Sequence, residues 1–226
     1  MIAPAHGFER DTATGAEPPR PLLRGVLHGI AAVLVPFGIV ALLLLADSPR
    51  RYVGAAIFTT SLLLLYASSA LYHLAPWPDR LHGWMKRVDH SMIFVLIAGT
   101  YTPFCLVVLS NGWGIPMLAV VWTLTAAGVL LAVAHPDAPR WLNVGLYIGL
   151  GWVGVVAASP VISALPPGAI GLLMLGGALY TVGAVIYAMR RPDPLPKIFG
   201  FHEVFHSFVI AGSAVHFTLI AVYVIS

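Results

Sequence analysis

Apolar positions run almost without interruption along this chain, in blocks about twenty residues long separated by short polar breaks. A hydrocarbon layer of about 30 Å is crossed by roughly 20 consecutive apolar residues in helical form. Seven segments meet that requirement, at about 24–46, 51–74, 87–109, 113–134, 140–159, 166–189 and 200–225. The breaks between them read DSPRR, APWPDRLHGWMKR, SNG, HPDAPR, ISALPPG and RRPDPLPK. Each contains Pro, Gly, Asn or Asp, the residues that end regular structure, and most also carry charge. The pattern predicts an all-α, polytopic membrane protein built as a seven-transmembrane-helix bundle over residues 21–226.

Composition agrees. The chain is 59% hydrophobic and 9% charged, with a mean hydropathy of +0.89, whereas a soluble domain carries about 25% charged residues. Residues 1–20 differ from the rest, being polar, mixed in charge and rich in Pro and Gly. They are expected to form a disordered tail, and they lack the layout of a signal peptide. The one cysteine, Cys105, lies inside an apolar run and excludes a disulfide framework within the chain. The net charge of +3 comes from loop Lys and Arg and gives no reason to expect a nucleic-acid partner.

Charge also sets an expected orientation. With the N-terminus in the cytoplasm, the inner loops and tail hold Arg10, Arg20, Arg24, Arg80, Lys86, Arg87, Arg140, Arg190, Arg191 and Lys197, and only Arg50 and Arg51 fall outside. Ten against two follows the positive-inside rule and places the C-terminus outside.

Against this background a few polar residues stand out. His73 falls near the inner end of the second span, Asp89 in the first turn predicted for the third, and His202 and His206 in the first two turns of the seventh. Ionisable groups within membrane spans mark metals, proton paths or substrate contacts. The i, i+4 spacing of His202 and His206 puts both imidazoles on one helix face, about 6 Å apart along the axis. Ser69 and His73 share that spacing. Three histidines with one position left for water form a known ligand set of catalytic zinc. Taken singly, each residue has a plainer reading: an HxxxH pair can hydrogen-bond neighbouring spans, His73 can snorkel, and Asp89 can pair with Arg87 or favour its helix N-terminus. Their convergence at one depth favours a shared metal site. His28 is expected to be interfacial, Glu203 to point away from His202 toward the interface, and His216 to lie too far along its helix to share the metal. The glycines of 149–154 and 176–177 read as packing positions.

The segments SSALYH (68–73), VDHSMIFVLIAGTYTPF (88–104) and FHEVFHSFVIAGSAVHF (201–217) resemble those of the haemolysin III proteins. These are bacterial members of the progestin and adiponectin receptor family, in the wider superfamily that includes alkaline ceramidases. The resemblance covers residues 20–226 and implies seven helices with a cytoplasmic N-terminus, in a bacterial inner membrane. It further implies that His73, His202 and His206 bind zinc, and that Asp89 and Ser69 hold or contact the water on it. The activity implied is zinc-dependent hydrolysis of membrane lipid amides of the ceramide type, or of esters, with a role in membrane-lipid homeostasis and membrane lipids as partners. Two other expectations stand beside it: a lipid sensor in which zinc is structural, and a pore-forming cytolysin. The absence of a sustained polar stripe along any span weighs against the pore.

Overall fold

A computed structural model of the chain describes residues 21–226. The tail expected at 1–20 lies outside them. Seven helices long and apolar enough to cross a membrane follow in order: α1 Val26–Leu45, α2 Pro49–Leu74, α3 Asp79–Val108, α4 Asn111–Ala134, α5 Arg140–Ala164, α6 Pro167–Met189 and α7 Phe201–Ile225. The remaining described backbone is turn and loop, with one isolated bridge between Leu195 and Phe199.

Proline sets several of the boundaries. α2 and α6 begin with Pro49 and Pro167 in the first turn, where a missing N–H breaks no helical hydrogen bond. α2 stops at Ala75, which precedes Pro76 and takes the extended conformation that prolines impose on the residue before them. The Trp77 indole then donates to the Leu71 carbonyl at 2.7 Å, a second bond to an acceptor that also takes the Ala75 N–H at 3.2 Å.

Three departures from the sequence-based spans have local causes. α3 starts at Asp79 rather than about residue 87, because Pro78 caps it and Asp79 occupies its first turn. Asp89 therefore lies ten residues into the helix, about 15 Å along the axis, and not in the first turn. The last turn of α3 widens to a π-helical stretch, Phe104–Val108, directly after Pro103. α5 is α-helical to Trp152, tightens to a 3-10 stretch at Val153–Ala157, and runs on to Ala164, beyond the expected end near 159. Pro160 cannot donate to the carbonyl four residues back and crowds it, which disturbs the turn before it. The Tyr101 hydroxyl fills part of that break, donating to the Gly151 carbonyl at 2.6 Å and accepting from the Gly154 N–H at 2.8 Å.

Two apolar clusters hold the bundle. One joins α1, α2 and α7 through Leu42, Phe58, Leu62, Val209 and Leu219. The other joins α3, α4 and α5 through Phe94, Ala98, Val121, Tyr147 and Leu150. The outward faces keep large apolar side chains exposed, among them Phe37, Leu44 and Val156. That suits hydrocarbon as the surrounding solvent.

Candidate metal centre

The inner ends of α2 and α7, as oriented by charge, bring together the histidines singled out from the sequence. One ring nitrogen from each of His73, His202 and His206 lies within 4.8 Å of the other two. His73 Nε2 and His202 Nε2 are 3.1 Å apart, with the rings edge to face at 81°. The i, i+4 pair on α7 has ring centroids 4.5 Å apart. His206 is buried and its Nδ1 has no hydrogen-bond partner among the described residues.

This arrangement fits a metal ion. Zinc–nitrogen bonds of 2.0–2.1 Å in a tetrahedron separate ligand atoms by roughly 3.3 Å, so the imidazoles need only small rotations. Three nitrogen donors leave one position of a tetrahedral set for a further ligand. Buried imidazoles with unmatched nitrogens are otherwise costly in an apolar bundle.

Ser69, one turn before His73 on α2, is 1% exposed, and its hydroxyl is buried without a hydrogen-bond partner among the described residues. The Asp89 carboxylate lies beside it, though not in hydrogen-bonding geometry. Both line a cavity of about 310 Å³ onto which His202 and His206 also open. All five residues picked from the sequence thus meet at this end of the bundle, the three histidines as one cluster with Ser69 and Asp89 beside it.

The structure corrects two expectations and adds neighbours. Glu203 is not interfacial: it is fully buried, and Arg24 Nε donates to its Oε1 at 2.6 Å. Its other oxygen accepts the Gly200 N–H at 2.8 Å, capping α7 just ahead of His202. The chain before α1 is fastened to the same place, with the N–H groups of Leu22 and Leu23 donating to the carbonyls of Lys197 and Ile198 at 3.0 and 3.1 Å. His28 is not interfacial either. It is 2% exposed and stacks on His206 with centroids 3.6 Å apart and planes 10° from parallel. The rule that marked the other histidines, that imidazoles are costly in lipid, applied equally to His28; its place in the first turn of a span concealed it. Glu203 carried a signal as well, being an acid at the third position of a helix that follows Gly200. Tyr187 from α6 meets the His202 ring edge to face at 5.6 Å, beneath the Arg140 guanidinium. His90 lines the cavity, and its carbonyl accepts from the Tyr147 hydroxyl at 3.2 Å.

Comparison with known proteins agrees with this geometry. A family profile described as "Haemolysin-III related" matches residues 17–217. The chain is 35% identical to the hemolysin-3 homolog of Bacillus subtilis over 205 residues, covering 89% of this chain and 93% of that protein. It is 33% identical to hemolysin-3 of Bacillus cereus over 207 residues, covering 90% and 91%. A more distant relative is the adiponectin receptor protein of Drosophila melanogaster, 26% identical over 191 residues that make up 76% of this chain and 42% of that one. A seven-helix membrane bundle, a three-histidine cluster at one end and these matches over most of the chain's length agree: the chain belongs to the haemolysin III family.

Proposed function

We propose that this protein is a zinc-dependent hydrolase of membrane lipid amides or esters, acting in the bacterial inner membrane with the N-terminus in the cytoplasm. One observation carries the reading: the three-histidine cluster opens through His202 and His206, together with Asp89 and Ser69, onto an apolar cavity of about 310 Å³. A structural metal needs no such cavity, whereas cleavage of an acyl bond needs room for the chain attached to it.

His73, His202 and His206 would hold the ion. Bound there, zinc supplies a Lewis acid that polarises a carbonyl and makes water acidic near neutral pH. Asp89 takes the proton of the attacking water as its oxygen adds to the acyl carbon. The same carboxyl group returns that proton to the departing nitrogen as the C–N bond breaks, giving a fatty acid and an amine. Ser69 offers its unpaired hydroxyl to the substrate oxygen or to the water. The cavity's apolar wall, with Ile93, Ile97 and Val209, takes the acyl chain and keeps bulk water out. Access from the bilayer is lateral, at the break in α5, where Trp152, Val155, Ile162 and Met174 both line the cavity and reach the outer surface.

Metal content and released products measured on one purified sample test this directly. Wild type should carry about one zinc per chain and release fatty acid from a panel of ceramides and lipid esters. The triple variant of His73, His202 and His206 to Ala should lose both, and equal zinc in the two proteins sinks the metal assignment. Asp89→Ala should keep most of the metal and lose turnover. The similarity to an adiponectin receptor protein supports a second reading, in which the site holds zinc for a lipid-sensing bundle. Zinc-loaded protein that cleaves nothing in the panel decides for that reading. The names of the Bacillus relatives support a cytolysin, and liposome leakage that needs the protein but not its histidines decides for that one.

A further inference from the structure

The cavity has a second polar station well away from the histidine cluster. His216 lies ten residues beyond His206 on α7, about 15 Å further along the axis. It is 4% exposed, and its ring lines the same cavity. Nδ1 is 2.9 Å from the carbonyl of Gly212, one turn back on its own helix. A carbonyl can only accept, so Nδ1 carries the proton and Nε2 presents a lone pair. Nε2 is not bonded by its neighbours on α6 or α7 and is not sealed away as a buried orphan: it keeps access to the cavity that the ring lines.

The surroundings hold this ring in place. A side chain at Gly176 on α6 would overlap the His216 ring, and one at Gly212 on α7 would overlap the ring of Tyr180. Each helix thus gives up a side chain to admit an aromatic ring from the other. The two rings then stack at 5.3 Å with planes 17° apart. The Tyr180 hydroxyl is paired with Ser213 at 2.8 Å, so it does not satisfy Nε2. An imidazole acceptor seated this firmly in an apolar wall is unfavourable unless a donor meets it. The donor then comes from whatever fills the cavity.

We infer that His216 is a specificity residue for a lipid whose acyl chain bears a hydroxyl group partway along its length, with His216 Nε2 accepting from that hydroxyl. The inference rests on the reading that the cavity takes an acyl chain from the histidine cluster inward. The separation of the two stations excludes a hydroxyl next to the carbonyl and matches one in the middle of a long chain. Tyr180 supports the ring from α6.

The test is displacement of a fluorescent fatty acid from the purified full-length protein in lipid nanodiscs by ricinoleic acid, oleic acid and the methyl ether of ricinoleic acid. The first two differ only in the mid-chain hydroxyl, and the ether keeps the oxygen without the donor. Ricinoleic acid should bind roughly three- to tenfold more tightly than oleic acid, the range expected for one buried hydrogen bond, and the ether no more tightly than oleic acid. In His216→Phe, which keeps a ring against Gly176, the ratio of ricinoleic to oleic acid should fall to one. Equal binding of the two acids to wild type overturns the inference and leaves the acyl-chain reading standing. So does tight binding of the ether, a comparison that needs no variant to fold. A preference that survives in His216→Phe assigns the contact elsewhere and also overturns it. If none of the three displaces the probe, the acyl-chain reading fails and the inference fails with it.

Discussion

α2, α3 and α7 make up the inward, packed side of this bundle, and α5 and α6, the latter still seated on α7, its more exposed side. By hydropathy the two sides are indistinguishable: 1.6, 2.0 and 2.2 for the first three helices against 1.7 and 2.0 for the others. By burial they differ sharply. In their most apolar stretches α2, α3 and α7 are 56%, 50% and 44% buried, whereas α5 and α6 are each 17% buried. The buried helices carry polar side chains inward, among them Ser61, Ser91, Asp89, His206 and Ser213. They also carry glycines in contact, such as Gly99 against Ser61. Along α5 and α6 several glycines face open space, including Gly145, Gly149, Gly171 and Gly177. Apolarity therefore says that a helix lies in lipid, and the polar residues within it say which face meets protein. The histidine cluster sits on the packed side, where side chains are held firmly. The cavity reaches the outer surface on the more exposed side, which under the proposed function is where a lipid would enter.

The strongest way to break that division is to loosen the packed side where α7 begins. Arg24→Ala leaves Glu203 buried without its partner, and removing one member of a buried ion pair costs about 3–5 kcal/mol. Reversible unfolding in mixed micelles should show a loss of that order, and zinc affinity should fall because His202 adjoins Glu203 in the same helical turn. The pair between Lys86 and Asp137 is the control. At 3.6 Å, with the Asp137 side chain 73% exposed, it contributes about 0–1 kcal/mol, so Lys86→Ala should change little. Equal losses in the two variants would show that burial does not set the difference.

The seven spans were legible because an apolar block twenty residues long matches the thickness of a bilayer and exceeds what most soluble cores can bury. The histidines were legible because imidazole is scarce in such blocks. What the sequence concealed depended on partners far along the chain. Residues 79–86 read as loop because they are charged, yet Pro78 and Asp79 start a helix that carries them beyond the apolar block. The tightened stretch of α5 follows from Pro160 but is stabilised by Tyr101, about fifty residues away. Glu203 and Arg24 are separated by 179 positions, and no local pattern signals their pairing. Among the glycines expected to pack, Gly154 and Gly176 do so, against Tyr101 and His216, whereas Gly149, Gly151 and Gly177 meet nothing. Composition alone does not separate these two groups.

An intermediate effect comes from the packed glycines. A methyl group at Gly99 would collide with the Ser61 side chain across the contact between α3 and α2. Overpacking of this kind costs about 1–3 kcal/mol. Gly99→Ala should lose that much in the same unfolding experiment, and restoring room with Ser61→Gly should recover part of it.

The smallest effect should have the opposite sign. Gly149 lies in the α-helical part of α5, and a side-chain carbon there would meet nothing within 4 Å. Glycine in a helix interior is less favourable than alanine by about 0.5–1 kcal/mol, because it loses more backbone freedom on folding. Gly149→Ala should therefore leave stability unchanged or raise it by up to that amount, where the same substitution at Gly99 lowers it. The pair isolates packing from helix propensity, since both positions are glycine in an apolar helix and differ only in what faces them. A loss at Gly149 equal to that at Gly99 would mean that α5 packs more closely than its burial implies, and the lateral entry for lipid would then have to be sought elsewhere.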